Sequence, residues 1–476
     1  MASNDNRMGL WCCVATLLSG AAWWLGTGLA PQAWLTWLAP LPLLLLAPRL
    51  RWQHAGLAAL CAGACAGLNL WHYLCGVIGL PMATGVLVAV APGLAFAVCL
   101  LLHRHCSLSG RPALAALGFP ALWVGLDYLA SLGSPHGVFG SLAHSQVDVL
   151  PLLQLASVTG LWGMSFVLLL APAALAAALS GRAPPRRRAL VGGAAALLVL
   201  AVFSFGALRL QQPASGSMRL GLVSLAGPVP AKLSTPEGAA LLRRYLSAID
   251  ALAGQGARAV VLPETAFAAD QPLIPELAAS AARHRIWIDA GVALKDGDQL
   301  YNQSIAFDPT GAVAASYAKH HLIPGFENRY RPGSAYAMLA GTRTGLAICK
   351  DMDFHDTGRA YGLLGADLLL VPAWDFGADG TLHSRMAVLR GVEGGFAIAR
   401  AARHGNLTLS DDRGRIVAET SDASGAAQLV ADLPLHQSRT LYARWGDWFA
   451  WLDLALLAMT GAAIGADKKK TPQRLF

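Results

Sequence analysis

The sequence predicts a multi-span α-helical membrane bundle of about eight helices that carries one α/β domain outside the bilayer. The 476-residue chain is 55% hydrophobic and only 13% charged, and its mean hydropathy of +0.47 is too high for a soluble globular protein. Long apolar runs fill most of the first 210 positions. Residues 218–440 instead have the composition of a soluble domain, in which short β-rich segments alternate with helical stretches.

Runs of about 20 apolar residues, the length that crosses a bilayer as a helix, define the predicted spans. They lie at 8–29, 31–47, 55–76, 82–103, 112–131, 151–179, 189–208 and 447–466. No clear cleavage site follows the first run and a second run comes at once, so we expect it to be retained rather than removed as a signal peptide. The expected organisation is a seven-helix transmembrane region at 1–209, an outer domain at 218–437, a final transmembrane helix at 440–467 and a basic tail at 468–476.

Basic residues in the short loops predict the orientation, because Lys and Arg are held on the cytoplasmic side of a membrane. Loops 48–54, 104–111 and 180–188 are basic, whereas the loops near 30, near 78 and at 132–150 contain no Lys or Arg. Both termini are therefore expected in the cytoplasm and the outer domain in the periplasm of a Gram-negative bacterium. The same placement accounts for the net charge of +8, so we expect no nucleic-acid partner.

The outer domain is predicted to contain eight strands and three helices. The strand-like segments are MRLGLVSL, ARAVVLP, RIWIDAGVAL, YNQSIAFD, RTGLAIC, ADLLLVP, FAIARAA and NLTLSD. Helical patterns fit residues 236–254, 272–284 and 382–394. This alternation predicts an α/β fold.

Three polar residues follow strand-like segments of this domain. They are Glu264 in VVLPETAFA, Lys319 in YAKHHLIPGFE and Cys349 in LAICKDMDF. Functional residues of α/β domains are often found at strand ends. A thiol becomes a strong nucleophile when a base takes its proton and a cation stabilises the developing charge. Each residue alone also fits a capping, solvated or inert role, so their spacing does not decide between these interpretations.

The other seven cysteines lie within apolar runs or just past one, where a cysteine usually acts as a small buried hydrophobic residue. No spacing typical of a zinc site or of a disulfide framework is present. We therefore expect no cofactor and no metal.

The segments LPET, YAKHHLIP and AICKD, in that order, resemble the Glu-Lys-Cys triad of the nitrilase superfamily of carbon–nitrogen hydrolases. HSRMAVLRGVEGGFAIARAARHG is similar to the helix and strand that follow the nucleophile in that superfamily. The resemblance covers most of 218–435 and implies a nitrilase-like α-β-β-α sandwich. The resemblance extends to the apolipoprotein N-acyltransferase family, a membrane-embedded branch of the superfamily. It rests there on the predicted membrane spans and on two further segments, GVFGSLAHSQVDVLPLLQLASVTGLWG and TLYARWGDW.

The resemblance implies a role for each matching residue. Cys349 would be the nucleophile, Glu264 the general base, Lys319 the cation that stabilises the tetrahedral intermediate, and Glu327 a further acid that orients the site. The N–H of Lys350 is a candidate second donor to the oxyanion. The implied reaction moves an acyl chain from a membrane phospholipid, through a thioester, to the N-terminal amine of a diacylated lipoprotein, and the enzyme would act as a monomer in the bacterial inner membrane.

Lys350 and Asp351 stand where that family carries Tyr-Glu after its nucleophile. Lys350 could lower the pKa of the thiol, bind an anionic headgroup or point to solvent. Two alternatives therefore stay open beside the implied reaction. One is a membrane-tethered amidase, or an N-acyltransferase that uses another amine; the other is a membrane protein whose outer domain binds a ligand without catalysis.

Overall fold

The computed structural model describes residues 2–470, and it describes side-chain surroundings within 7–465. Of the predicted basic tail, residues 471–476 lie outside the described part. The helices are α1 (Ala2–Gly26), α2 (Ala33–Leu38), α3 (Leu41–Leu46), α4 (Trp52–Leu68), α5 (Met82–Leu108), α6 (Pro112–Gly133), α7 (Leu150–Leu153), α8 (Ala156–Leu179), α9 (Pro185–Leu210), α10 (Pro236–Gly254), α11 (Pro275–His284), α12 (His355–Leu364), α13 (Gly380–Gly394), α14 (Leu441–Trp445) and α15 (Trp448–Lys470).

The strands all fall between α9 and α14. They are β1 (Gly216–Leu225), β2 (Ala231–Lys232), β3 (Ala259–Val261), β4 (Phe267–Ala269), β5 (Trp287–Asp296), β6 (Gln299–Phe307), β7 (Val313–Ala318), β8 (Ala337–Met338), β9 (Thr344–Leu346), β10 (Leu368–Trp374), β11 (Ala397–Arg403), β12 (Asn406–Ser410), β13 (Ile416–Ser421) and β14 (Ala426–Leu435). Each of the eight predicted strands and three predicted helices is confirmed, with small differences at the ends.

Within the described residues, six helices are long enough and apolar enough to cross a membrane. They are Arg7–Gly26, Met82–Leu108, Pro112–Gly133, Ala156–Leu179, Pro185–Leu210 and Trp448–Gly465. This confirms a multi-span helical membrane protein.

The structure differs from the prediction at two of the eight spans. Residues 31–47 form the short helices α2 and α3, because Pro40 and Pro42 interrupt the helical hydrogen bonds between them. The span expected at 55–76 instead holds α4, which ends at Leu68, and a π-helix at His72–Val77. Just past α4, the Asn69 side chain donates hydrogen bonds to the carbonyls of Trp24 (2.5 Å) and Thr27 (2.8 Å).

The outer domain is built from two sheets. The order of the first sheet is β14-β1-β3-β5-β4-β2, and β6 pairs with β5 and β7 with β6. The second sheet has the order β13-β12-β11-β10-β9-β8. Strands β1, β3 and β5 pair in parallel, as do β9, β10 and β11, so the carboxyl ends of three neighbouring strands lie together in each sheet.

Three apolar cores separate the layers of this domain. Helices α10 and α11 pack on the outer face of the first sheet, and α12 and α13 pack on the outer face of the second. Between the sheets, Leu222 and Val261 of the first sheet share a core with Leu346 and Leu370 of the second. The order of layers is therefore α-β-β-α, as the resemblance implied.

Candidate active site

Cys349 lies just past β9, at the first residue of a 3₁₀ helix that runs from Cys349 to Asp353. Its φ of +41° lies in the left-handed region, a conformation that costs a non-glycine residue about 1–3 kcal/mol. Only 6% of Cys349 is exposed, and its thiol donates to the carbonyl of Trp374 at 3.3 Å. The sharp turn thus places the sulfur at the carboxyl ends of β9 and β10. We call residues 349–353 the nucleophile turn, after the role that the resemblance implies for Cys349.

Glu264 and Lys319 also follow strands, β3 and β7 respectively. The N–H of Glu264 donates to the carbonyl of Ala373 in β10 at 3.3 Å, a bond that joins the two sheets at this end. The N–H of Lys319 donates to the carbonyl of Asn302 at 2.8 Å. Ala373 precedes Trp374, whose carbonyl contacts the Cys349 thiol, so the carboxyl end of β3 lies next to that thiol.

The ammonium of Lys319 is held between two buried carboxylates. Its Nζ lies 2.7 Å from Glu264 Oε1 and 2.8 Å from Glu327 Oε2, and Lys319 is 1% exposed. The Asn302 side chain donates to the same two carboxylates, at 2.6 Å and 2.7 Å. The structure therefore brings Glu264, Lys319 and Glu327 into one contact network. Asn302 was not predicted from the sequence.

Burial and charge together set the protonation of these groups. Burial raises the pKa of Glu264, although the Lys319 charge opposes this effect. Burial alone would lower the pKa of Lys319, but the carboxylates of Glu264 and Glu327 outweigh it and raise the pKa well above its ordinary value. Burial and then the Glu264 charge raise the pKa of the Cys349 thiol. These shifts favour a protonated thiol together with a charged lysine, so the thiol would have to lose its proton to act as a nucleophile.

The raised pKa of Glu264 predicts where activity fails in acid. A carboxylate with a raised pKa is protonated at a higher pH than usual, so a base at this position is lost before the pH reaches about 4.3, the ordinary pKa of a glutamate. With Glu264 as the general base and Cys349 as the nucleophile, the roles that the resemblance implies, we expect the single-turnover rate of acylation of Cys349 to fall with a midpoint above that value. The nearby charge of Glu327 contributes to the shift, so Glu327→Gln should move the midpoint to lower pH. A midpoint at or below that of an ordinary glutamate would contradict this assignment.

Asp351 ties the nucleophile turn to the segment that carries Lys319. Its carboxylate is fully buried and accepts hydrogen bonds from Tyr317 Oη (2.9 Å), His321 N (2.9 Å) and Ile348 N (3.2 Å). Tyr317 and His321 flank Lys319 by two residues on either side. Asp351 is thus placed to position Cys349 relative to Lys319.

Lys350 points away from solvent. It is 4% exposed, and its Nζ lies 2.8 Å from Nδ1 of His136 in the loop after α6. Burial lowers the pKa of Lys350, and burial followed by the Lys350 charge lowers the pKa of His136. A neutral His136 can accept the hydrogen bond that the ammonium donates. The solvent-facing interpretation of Lys350 is wrong, because its side chain joins the nucleophile turn to the membrane region.

A second set of polar contacts, which the sequence did not predict, joins the nucleophile turn to the membrane region. The carbonyl of Asp353 accepts from the N–H of Val138 at 3.1 Å, and its carboxylate lies 3.2 Å from Nδ1 of His383. The other ring nitrogen of His383 lies 3.2 Å from Asp379, whose carboxylate also accepts from the Tyr73 hydroxyl at 2.6 Å. The carboxylates outweigh the effect of burial and raise the pKa of His383 to about 10.

This raised pKa predicts a pH-dependent part of the stability. The charged form of His383 is favoured only in the folded protein, so its contribution is complete below about pH 6.5, the ordinary pKa of a histidine, and is lost as the pH rises toward about 10. Over that window we expect the free energy of unfolding to fall by up to about 1.4 kcal/mol per pH unit from this group. Thermal unfolding of His383→Gln in detergent should lack this component. An equal pH slope in the variant and the wild type would contradict the prediction.

Exposed aromatic side chains border the site. Phe326 is 49% exposed and Trp374 is 39% exposed, and the Phe326 ring packs against that of Phe376 with centroids 4.9 Å apart. Phe326 precedes Glu327, and Trp374 supplies the carbonyl that contacts the thiol. An apolar surface therefore lies next to the buried ionic network.

Two family models match the chain. The model of the apolipoprotein N-acyltransferase N-terminal domain matches residues 19–174, and the carbon-nitrogen hydrolase model matches residues 222–444. The apolipoprotein N-acyltransferase of Gloeobacter violaceus is 30% identical over 93% of this chain and 92% of its own length. That of Geobacter metallireducens is 28% identical over 91% of each chain. An (R)-stereoselective amidase of a Pseudomonas species is 28% identical over 37% of this chain and 67% of its own length.

Proposed function

Because this chain belongs to the apolipoprotein N-acyltransferase family, we propose that Cys349 takes an acyl chain from a membrane phospholipid and passes it to the N-terminal amine of a diacylated lipoprotein. The protein is an acyltransferase of the bacterial inner membrane and acts in lipoprotein N-acylation. The donor, the thioester and the residue roles given below are parts of the proposal.

The attachment of the nucleophile turn to the membrane region is the observation that carries the proposal. Val138 and His136, in the loop after the membrane helix α6, hydrogen-bond to Asp353 and Lys350 of this turn. Both proposed substrates carry acyl chains, and moving each buried CH₂ from lipid into water costs about 0.8 kcal/mol. A nucleophile held at the base of the outer domain can meet these substrates without extracting their chains, and the exposed rings of Phe326 and Trp374 offer them an apolar border.

In the first half of the reaction, Glu264 accepts the proton of the Cys349 thiol as the sulfur attacks the ester carbonyl of the phospholipid. Lys319 has three N–H donors, of which Glu264 and Glu327 occupy two, so one can face the tetrahedral oxyanion. The N–H of Lys350 would be a second donor. Collapse breaks the ester C–O bond, Glu264 returns the proton to the leaving alkoxide, and a lysophospholipid departs from the thioester.

In the second half, the free α-amine of the diacylglyceryl-cysteine attacks the thioester carbonyl. Glu264 accepts a proton from the amine and returns it to the sulfur as the C–S bond breaks, which regenerates the thiol of Cys349. Water in place of the amine would give a free fatty acid instead. The reaction of this family therefore requires that the acceptor amine reach the thioester in preference to water.

We further propose that the protein is a monomer with both termini in the cytoplasm and the outer domain in the periplasm. The basic loops 48–54, 104–111 and 180–188 support this orientation. Labelling of single exposed cysteines with a membrane-impermeant maleimide in intact spheroplasts tests it. A residue introduced at exposed Asp298 should react from outside, and one introduced at Arg182 should not.

Mass spectrometry of a reconstituted reaction tests the proposed chemistry. The full chain in phosphatidylethanolamine liposomes, supplied with a diacylglyceryl lipopeptide, should yield triacylated peptide and lysophospholipid in equal amounts. The same lipopeptide with an acetylated N-terminus is the matched control and should gain no acyl chain. Release of free fatty acid with no triacylated peptide would contradict the proposed acceptor and favour a hydrolase.

Expression in cells depleted of their own apolipoprotein N-acyltransferase extends the test. Triacylation of a reporter lipoprotein, measured by mass spectrometry, is the expected result. Growth without triacylated reporter would contradict the lipoprotein acceptor and indicate another amine.

A further inference from the structure

A cavity of about 510 Å³ lies where the outer ends of α8 and α9 meet the outer domain. Three arginines line it, namely Arg209 near the end of α9, Arg413 in the turn between β12 and β13, and Arg439 just before α14. The described residues that line this cavity include no acidic side chain. Its wall is therefore strongly basic.

The positive charges of this cavity are only partly compensated. Arg209 is 8% exposed and donates to the neutral Gln154 at 2.5 Å. Arg413 is 5% exposed and donates to Gln212 at 2.8 Å.

The carboxylate that lies within ion-pairing distance of the Arg413 guanidinium already has other partners. Asp412 lies 3.8 Å from Arg413 Nε, but it also accepts a hydrogen bond from Ser438 and lies 2.5 Å from His436. Within 7–465, no carboxylate lies within ion-pairing distance of Arg209 or Arg439. The cavity can therefore accept an anion.

Below the arginines the cavity opens onto the apolar side of a membrane helix. Leu208 is 66% exposed and Phe205 is 39% exposed, and both line the cavity. Only 17% of the residues in the apolar stretch of α9 are buried inside the protein, so most of this helix faces lipid. A basic wall above a lipid-facing helix matches a phospholipid, whose phosphate lies at the bilayer surface above its acyl chains.

This cavity is separate from the candidate active site. The Arg439 guanidinium lies against Gly365, which precedes β10, whereas the Cys349 thiol contacts the carbonyl of Trp374 at the other end of that strand. A strand of this length, at about 3.3 Å per residue, spans roughly 20 Å. A lipid held by these arginines is therefore out of reach of the thiol.

We propose that the cavity binds an anionic phospholipid that is not consumed in the reaction. Arg209 and Arg439 bind its phosphate, Arg413 adds positive charge, and its acyl chains lie along Phe205 and Leu208 of α9. The bound lipid thereby joins the end of α9 to the segment that leads into α14 and the last membrane helix. This function is independent of acyl transfer.

Native mass spectrometry of the full chain tests the site, with Cys349→Ser as the background so that turnover cannot consume the lipid. The probe is phosphatidylglycerol, present as a minor component of phosphatidylcholine vesicles. We expect retention of phosphatidylglycerol to fall roughly ten-fold in Arg439→Gln, since one charge-assisted hydrogen bond is worth about 1.5–3 kcal/mol. Arg439→Glu should reduce it further. The matched control is Arg243→Gln, an exposed arginine of α10, which should retain the lipid as the parent does.

Three results would overturn the proposal. The first is equal retention by Arg439→Gln and the parent; Arg439 is exposed, so this variant should fold even if the buried Arg209→Gln does not. The second is equal retention of diacylglycerol, which lacks a phosphate and would show that only the apolar wall binds. The third is displacement of the lipid by millimolar inorganic phosphate, which would assign the arginines to free phosphate rather than to a lipid.

Discussion

Replacement of Cys349 by serine is expected to lower the rate of acyl transfer by at least about 10⁴-fold, because a serine hydroxyl is a much weaker nucleophile than a cysteine thiolate. The reaction with phospholipid alone gives the most direct measurement. Wild-type protein should gain the mass of one acyl chain, and hydroxylamine at neutral pH should remove it, as expected for a thioester. The Cys349→Ser protein should gain no such mass.

Cys61→Ser provides the matched control, since Cys61 is an exposed cysteine in α4, away from the outer domain. This variant should acquire the thioester at the wild-type rate. A labile acyl group on Cys349→Ser, or its loss in Cys61→Ser, would assign the nucleophile to another residue.

Substitution of Lys319 by methionine is expected to abolish acyl transfer and also to destabilise the outer domain by about 3–5 kcal/mol. The change leaves Glu264 and Glu327 buried without the ammonium that contacts both of them. Thermal or denaturant unfolding in detergent measures the stability, and triacylation of the lipopeptide measures the activity. The two losses have different causes, and a second variant separates them.

The double variant Lys319→Met with Glu327→Gln removes one of the two buried carboxylate charges that Lys319→Met leaves without a cation. We expect it to regain much of the stability and none of the activity, because no cation faces the oxyanion. Glu327→Gln alone is the reference for both measurements. Recovery of acyl transfer in the double variant would mean that Lys319 serves only to hold the carboxylates, contrary to the role proposed for it.

The architecture could be predicted from the sequence where one local pattern governs one element. Long apolar runs and alternating β-rich segments identified most of the spans and eight of the fourteen strands that the structure describes. The strands β2, β4, β7, β8, β13 and β14 were not predicted. Of these, β2 and β8 contain two residues each, too few to show a periodicity. At 31–47 the apolar count outweighed Pro40 and Pro42, although these prolines are the reason that the segment forms two short helices.

The site was predicted less completely than the architecture, because many of its contacts join residues that lie far apart along the chain. Glu264, Lys319 and Cys349 were proposed because motifs surround them. Asn302 could have been suspected as a polar residue within a strand, but nothing in the sequence relates it to both carboxylates. The bond from Tyr73 to Asp379 joins residues 306 positions apart, and no local pattern reports such a contact.

Because the loop after α6 hydrogen-bonds to the nucleophile turn, we expect the outer domain to lose part of its active-site structure when it is separated from the membrane helices. In an excised fragment 218–437, the Asp353 carbonyl would lose Val138, the Lys350 ammonium would lose His136 and Asp379 would lose Tyr73. Fusing that fragment to an unrelated anchor would tether it to a membrane without restoring these bonds. We therefore expect maturation of the enzyme to be gated by insertion, since the turn that holds Cys349 is completed only by a chain already folded into the bilayer.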